Sequence, residues 1–563
     1  MPIEVFGSNR ADTLIGGDEE NFLYPRGIFD EPPNSTAFDV VFGGLGNDLL
    51  YLDCQGETQS VYLGTAGNPR FILSSDSGNF YVQGAPDIER VTILGGSGND
   101  TFQTANYAAA VFGGAGIDYW IGNYAEATQN VYLHLADTHV VRNIGLLDFF
   151  GIERLSLTTG SGNDNIEGGA YVDFISTGAG QDRLNAGSKP LGSWEEVDGG
   201  DGIDTFIVDA GDDRLGLTLG VAGAPRFILT SVSDRYGVSA YNVERVSFRG
   251  GAGNDVINTA NMAVLVDGRD GIDLWRADYR DADVAIDLFM KGQQNLIEVG
   301  VHGIGGIERL DFVAGQRNDT IFAGDHADRV DGAARNDIID MGARDPTRPE
   351  NEYDVAIGGT GRDLLIVDAS LETTAVFLTA FALTYTVTSV SGRFHVEASE
   401  FERIDMKTGE GADRLEGATN ADTLAGGSGN DTLIGGGGQD SLAGGRGNDL
   451  IAGGQGQDDL SGNAGRDVFV FTDIAESTAR RPDTIHDFLT RTDRLDLSAI
   501  DANGALPGDG VFAYIGNQQF HRVAGELRSD FGTVQGDVNG DGIADFQINF
   551  ANGGPTSEAD VIL

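Results

Sequence analysis

The chain has 563 residues, 40% of them hydrophobic, and a net charge of −51 from 36 Lys+Arg against 87 Asp+Glu. That charge excludes nucleic acid as a natural partner, because binding it needs a basic footprint. The apolar share excludes a disordered acidic chain, which could not bury a core.

The N-terminus, Met1-Pro2-Ile3-Glu4-Val5-Phe6, has neither a basic nor an apolar leader region, so it does not read as a Sec signal peptide. No stretch approaches the roughly 18 apolar residues of a membrane helix, so no transmembrane segment is expected. A first Gly-Asp unit, GSNRADTLI from Gly7 with Asp12, falls in the opening segment 1–42. Cys54 is the only cysteine, so no intramolecular disulfide forms. A buried small hydrophobe is a better reading of it than a reactive thiol.

Segment 43–198 opens on GGLGND at Gly43, giving Asp48, and continues with GGSGND at Gly95 (Asp100), GGAGID at Gly113 (Asp118), GSGND at Gly160 (Asp164) and GAGQD at Gly178 (Asp182). Segment 199–357 repeats it. GGDGID starts at Gly199 (Asp204) and GGAGND at Gly250 (Asp255), with weaker copies around Asp273, Asp319, Asp328 and Asp337. Segment 358–407 begins a third, partial unit with GGTGRD at Gly358 (Asp363). Pro69-Arg70-Phe71-Ile72-Leu73 recurs 156 residues on as Pro225-Arg226-Phe227-Ile228-Leu229. Glu-Arg pairs recur as Glu89-Arg90, Glu153-Arg154, Glu244-Arg245, Glu308-Arg309 and Glu402-Arg403. Each pair follows an insert that alternates like strands, as in Arg70 to Tyr81 or Thr384 to Val396. The inserts read as strand excursions that leave the repeats and dock on their side. The Glu-Arg pair is either a surface ion pair, worth roughly 0–1 kcal/mol, or an accessory to a cation site.

Segment 408–470 is seven nine-residue units in phase. Asp413, Asp422, Asp431, Asp440, Asp449, Asp458 and Asp467 recur every nine residues, each followed two places later by Leu415, Leu424, Leu433, Leu442, Ile451, Leu460 or Phe469. Four units are complete: Gly426-Gly427-x-Gly429, Gly435-Gly436-x-Gly438, Gly444-Gly445-x-Gly447 and Gly453-Gly454-x-Gly456, each leading to its Asp. This is the GGxGxDxUx pattern of calcium-binding β-helices. The glycines permit a tight turn with inward carbonyls, and x-U-x is a minimal strand with one side chain in the core. Two units make a coil, so residues 18 apart stack about 4.8 Å apart. Two stacked carboxylates repel by roughly 3 kcal/mol at an effective dielectric near 20. A hard cation held by carboxylate and carbonyl oxygens reverses that sign, and all-oxygen ligands favour calcium. The expected architecture is all-β: a parallel β-roll or β-helix solenoid with strand-hairpin inserts and a C-terminal β cap.

In segment 471–563 the glycine rhythm stops. Asp483-Thr484-Ile485, Asp493-Arg494-Leu495-Asp496-Leu497 and the terminal Asp560-Val561-Ile562-Leu563 follow. A loop with Asp537, Asn539, Asp541 and Asp545 has the DxNxDG look of a calcium loop without its closing Glu. It reads equally as an Asx-rich turn or as a metal site. Residues 408–563 closely resemble the C-terminal region of serralysin-type metalloproteases, and the nonapeptides resemble the repeats-in-toxin class throughout. The resemblance implies calcium as the bound ion and recognition of an uncleaved C-terminus by a type I exporter. It also implies a secreted protein, outside or on the surface of a Gram-negative-type bacterium.

No His-Glu pair occurs, so the HExxH zinc site of serralysins is missing, and no G-x-S-x-G occurs either. The repeats begin at residue 7, leaving no room for a separate catalytic domain, so no catalytic residues and no enzyme activity are expected. The expected function is a calcium-folded surface-layer-like, matrix or adhesive protein that self-assembles or meets cell-surface glycan. The alternative is a polysaccharide-binding or polysaccharide-modifying protein, since paired carboxylates are abundant.

Overall fold

The computed structural model describes the chain apart from residues 1–2, 7–12, 17–20, 26–38, 66–70, 78–80, 85–87, 136–147, 189–191, 212, 222–225, 291–293, 297–298, 344–352, 504–509, 531 and 556. The Asp12 unit and Pro69-Arg70 therefore lie outside the described residues. The chain gathers into two compact units, Met1–Asp273 with Gly303–Gly306, and Leu274–His302 with Ile307–Leu563.

Both units are parallel β-rolls. In the second, Thr432–Gly438 pairs in parallel with Leu450–Gly456, and Ser441–Arg446 with Asp459–Ala464, each at an 18-residue offset. These strands are longer than the three residues x-U-x would give, because the glycine turns also ladder: Gly436 faces Gly454 and Gly438 faces Gly456. The apolar U positions point inward. Leu415, Leu433, Ile451 and Phe469 line one sheet and Leu424, Leu442 and Leu460 the other, all at most 1% exposed. Cys54 is fully buried. The roll strand Leu49–Asp53 turns at this point, with Glu57 N–H bonded to Cys54 O at 2.8 Å. Tyr124, Ala210, Tyr279 and Ala369 hold the same place in later copies and close the same turn.

The inserts do not leave the roll. In the first unit Val61–Thr65, Phe71–Ser75 and Tyr81–Gly84 form an antiparallel meander whose outer strands pair in parallel with Thr101–Gln103 and Asp39–Phe42. Leu217–Val221, Arg226–Ser231 and Gly237–Tyr241 repeat this between Val256–Asn258 and Glu195–Asp198. In the second unit Val376–Phe381, Thr384–Ser389 and His395–Ser399 do the same between Arg414–Glu416 and Asp354–Ile357. An excursion docked on the side would leave two open strand edges. Lying in the sheet, each meander has backbone partners on both sides.

A Ser-x-Ser clasp ties each meander to the preceding turn. Ser75 and Ser77 lie 3.0 Å apart with Ser77 bonded to Glu57, and Ser231 and Ser233 lie 3.0 Å apart with Ser233 bonded to Asp213. Ser391 donates to Glu372 at 3.0 Å in the third copy.

The C-terminal residues continue the second unit. Asp483–Ile485 and Arg494–Asp496 take the next coil positions, and Val561–Ile562 pairs in parallel with Leu495 and Asp496. Glu526–Asp530, Thr533–Asp537 and Phe546–Phe550 form an antiparallel sheet whose last strand joins Asp483–Ile485.

Candidate metal centre

The repeating turns set their aspartates in columns. The Asp413 backbone N–H donates to Asp431 Oδ1 at 2.8 Å, Asp431 to Asp449 at 2.8 Å, and Asp449 to Asp467 at 3.0 Å. On the opposite side Asp422, Asp440 and Asp458 make the same ladder. Upstream, Asp100 leads to Asp118, Asp164 to Asp182 and then Asp204, Asp255 to Asp273, and Asp319 to Asp337 and then Asp363. Every described Gly-Asp aspartate of the nonapeptide turns thus falls in a column or, for Asp48, beside one: Asn21 N–H reaches Asp48 Oδ1 at 2.8 Å.

The columns divide the aspartates by what their second oxygen meets. Four opening rungs have both oxygens engaged, whereas Asp255 and Asp413, which take Leu217 N–H and Val376 N–H on Oδ1, keep Oδ2 buried without a donor. Asp100, Asp319 and Asp422 each take a hydrophobic residue's N–H on Oδ1 (Val61, Ile286, Ile404) and an N–H of their own turn on Oδ2 (Gly96, Gly315, Ala418). Asp164 takes the Thr159 hydroxyl on Oδ2. Thr408, in the first position of its unit, instead donates its hydroxyl to Gly426 O at 2.7 Å. Inner rungs differ: Oδ2 of Asp118, Asp204, Asp337, Asp363, Asp431, Asp440, Asp449, Asp458, Asp467 and Asp483, and of Asp48, is buried with no donor. A buried carboxylate oxygen left without a partner is costly.

Space beside those oxygens is shaped by carbonyls. A Cβ on Gly426 would meet Asp431 Oδ2 at 2.5 Å and Gly444 O at 2.8 Å; one on Gly435 would strike Asp440 Oδ2 and Gly453 O. The first glycine therefore leaves room for two oxygens, one carboxylate and one carbonyl of the next coil. Gly427, Gly436, Gly445 and Gly454 run at φ +85 to +112 and Gly429, Gly438 and Gly447 at φ +132 to +150. Among the described residues no three His, Cys, Asp or Glu side chains converge on one metal-sized site. A cation here draws on carbonyls together with carboxylates, the donor set calcium takes.

Burial raises the rung carboxyls above the ordinary 3.8: Asp337, Asp440 and Asp483 to about 8, and Asp118, Asp431 and Asp467 to about 7. Desolvation is the largest cause, opposed by the ladder N–H and assisted by neighbouring aspartates.

In Glu153-Arg154 and Glu402-Arg403 the two side chains meet different partners. Glu89, Glu153, Glu244 and Glu402 accept, at 2.7–2.9 Å, the N–H of Asp48, Asp118, Asp204 and Asp363. The arginines lie along neighbouring strands: Arg154 sits over the Tyr119 ring, and Arg403 Nε donates to Ala421 O at 3.1 Å. The surface-ion-pair reading is thus corrected, because the glutamate is needed where a further aspartate would stand. Asp173, Asp354, Asp483 and Asp493 also occupy rungs. Asp483 and Asp493 keep the D-x-U spacing without glycines, which is the signal that would have found them. The Asp537 loop closes on itself. Asp537 accepts from Gly540 and Gly542, and Asp545 from Val538, Asn539 and the Asn539 amide. Asp541 accepts from Ile543. This is the geometry of an Asx-rich turn.

Parallel coils, glycine turns and laddered aspartates define a calcium β-roll. The family model for the RTX calcium-binding nonapeptide repeat (4 copies) matches residues 35–53, 158–188, 195–216 and 247–261, and that for Peptidase M10 serralysin C terminal matches residues 290–563. The chain is a repeats-in-toxin calcium-binding protein with a serralysin-type C-terminal domain; its repeats bind calcium, and it is a type I secreted, extracellular protein. The serralysin match begins at residue 290, well upstream of the residue 408 at which the sequence resemblance becomes close. The matches take in no protease catalytic domain. No curated protein matches the chain. No helix among the described residues is long and apolar enough to cross a membrane.

Proposed function

We propose that this protein is a non-enzymatic extracellular scaffold that folds on calcium after export and presents a repeated adhesive or matrix-forming surface. Calcium ions sit at the inner rungs, held by the second oxygen of Asp431, Asp440, Asp449, Asp458 and their upstream counterparts together with the first-position glycine carbonyls. The observation that carries the scaffold role is the threefold recurrence of one meander and its Ser-x-Ser clasp. Equivalent outward side chains recur with it, Tyr62 in the first copy (42% exposed) and Phe377 in the third (41% exposed). A surface repeated along a solenoid suits a multivalent partner or a second copy of the chain.

Electron microscopy and cell-binding assays on calcium-loaded protein test this. Ordered assemblies or calcium-dependent cell binding are expected. A strict monomer that binds no cells would contradict the scaffold role.

A cleft of about 580 Å³ in the first unit gives the polysaccharide reading its own support: Glu153, Glu167, Asp209, Tyr171 and Tyr236 are among its lining residues. Carboxylates with aromatics are the usual equipment for sugar, and a glycan array with a depolymerisation screen separates the two readings.

A further inference from the structure

The Glu-Arg motifs have a backbone signature that the nonapeptide does not. The residue two places before the glutamate is left-handed: Gly151 at φ +63, Asn242 at φ +48, Glu400 at φ +63, and Gly306 at φ +55. Such a φ is strained for a residue with a side chain, as at Asn242 and Glu400, and persists only where the surroundings require it. What it achieves here is the position of one carbonyl. A Cβ on Gly113 would strike both Gly151 O and Asp118 Oδ2. On Gly199 it would strike Asn242 O and come 2.7 Å from Asp204 Oδ2; on Gly358 it would strike Glu400 O and come 3.0 Å from Asp363 Oδ2. These are the same two oxygens, carboxylate and next-coil carbonyl, that surround Gly426 and Gly435 in the regular roll. The left-handed residue stands in for the first glycine of a nonapeptide, and the glutamate for its aspartate.

The match extends to the hydrogen bonding. Glu153 Oε2 accepts the Asp118 N–H at 2.8 Å, as Asp449 Oδ1 accepts the Asp431 N–H at 2.8 Å. Asp118, Asp204 and Asp363 are fully buried, and Oδ2 of each has no donor. Among the described residues Oε1 of Glu153, Glu244 and Glu402 has no hydrogen bond either. Each motif therefore sets a buried unpartnered carboxylate oxygen, a carbonyl and a glutamate oxygen around one space, with water to complete a calcium shell.

We infer that the left-handed residue–hydrophobe–Glu-Arg motifs are a second class of calcium site, terminating the columns that end on Asp118, Asp204 and Asp363 with a Glu-capped ion. This rests on the reading that inner rungs hold calcium. The test uses the full chain and native mass spectrometry across a calcium series. Glu153, Glu244 and Glu402 are replaced by Gln, singly and together, with Asp440→Asn as the control for the regular roll. Glutamine keeps an oxygen for the aspartate N–H and removes the charge, so the sheet spectrum should persist. The expected result is one ion lost per substituted glutamate at limiting calcium, or at least a tenfold weaker step for that ion. If the glutamine variants fill like the wild type while Asp440→Asn loses an ion, the glutamates are caps only and the inference falls. If Asp440→Asn loses none either, the inner-rung reading falls and takes the inference with it. The single variant Glu402→Gln decides the matter should the threefold one not fold.

Discussion

Removing calcium from the full chain with a chelator at pH 8 is expected to abolish its sheet signal in far-UV circular dichroism and expand it in small-angle X-ray scattering. The reason is electrostatic. The inner rungs bury carboxylate oxygens without donors, and the net charge of −51 opposes compaction. Each site filled at 100 times its dissociation constant adds about 2.7 kcal/mol to the folded state, so a handful of sites exceeds the 5–15 kcal/mol by which domains are ordinarily stable. The same carboxyls fix the pH response of the metal-free chain. Their folded values, about 8 for Asp337, Asp440 and Asp483 and about 7 for Asp118, Asp431 and Asp467, lie above the unfolded 3.8. A raised carboxyl favours the folded state while protonated, so this contribution is full below about pH 4 and lost as pH rises through 7 to 8. In chelator, acidification from pH 8 to about 5 should therefore recover part of the sheet signal. A chelated spectrum equal to the calcium-loaded one at pH 8 would contradict the account.

Gly447→Ala is expected to cost roughly 4 kcal/mol or more, seen as a large fall in melting temperature and a higher calcium midpoint. Gly447 runs at φ +137, and a Cβ there would land on the Gly429 carbonyl of the preceding coil. The backbone penalty is about 1–3 kcal/mol and the overlap about as much again. Gly437→Ala is the contrasting control. Gly437 has no positive φ, and the nearest atom to its Cβ would be Thr419 Cα at 3.6 Å, so a change within about 0.5 kcal/mol is expected. Equal losses for the two would mean that the turn geometry is not what limits stability.

The sequence made the regular roll legible because its rules are local. Nine-residue phase, glycine at turn positions and an apolar residue two after each Asp suffice to place Leu433 or Ile451 in the core and Asp431 in a turn. What escaped depends on which coil lies above. Asp100 and Asp118 look alike in sequence, yet Asp100 opens a column under Val61 and has both oxygens engaged, whereas Asp118 keeps one buried oxygen unpartnered. Glu153 is 35 residues from the Asp118 N–H it accepts, a separation no periodicity reveals. The 156-residue period hid a finer one for the same reason. Val61, Val131, Leu217, Ile286 and Val376 each donate to the first aspartate of a column. They are spaced by 70, 86, 69 and 90 residues, so two half-repeats, only one with a meander, make the long period. The inserts were legible as strands, but their place within the sheet follows from edges that only pairing shows.

Calcium itself can be seen by anomalous diffraction from crystals grown in calcium and again after exchange for a lanthanide. The account predicts peaks beside Oδ2 of Asp431, Asp440, Asp449 and Asp458 against the next-coil glycine carbonyls, with none beside Asp100 or Asp164. Peaks absent from the inner rungs at saturating calcium, or confined to the Asp537–Asp545 loop, would contradict it.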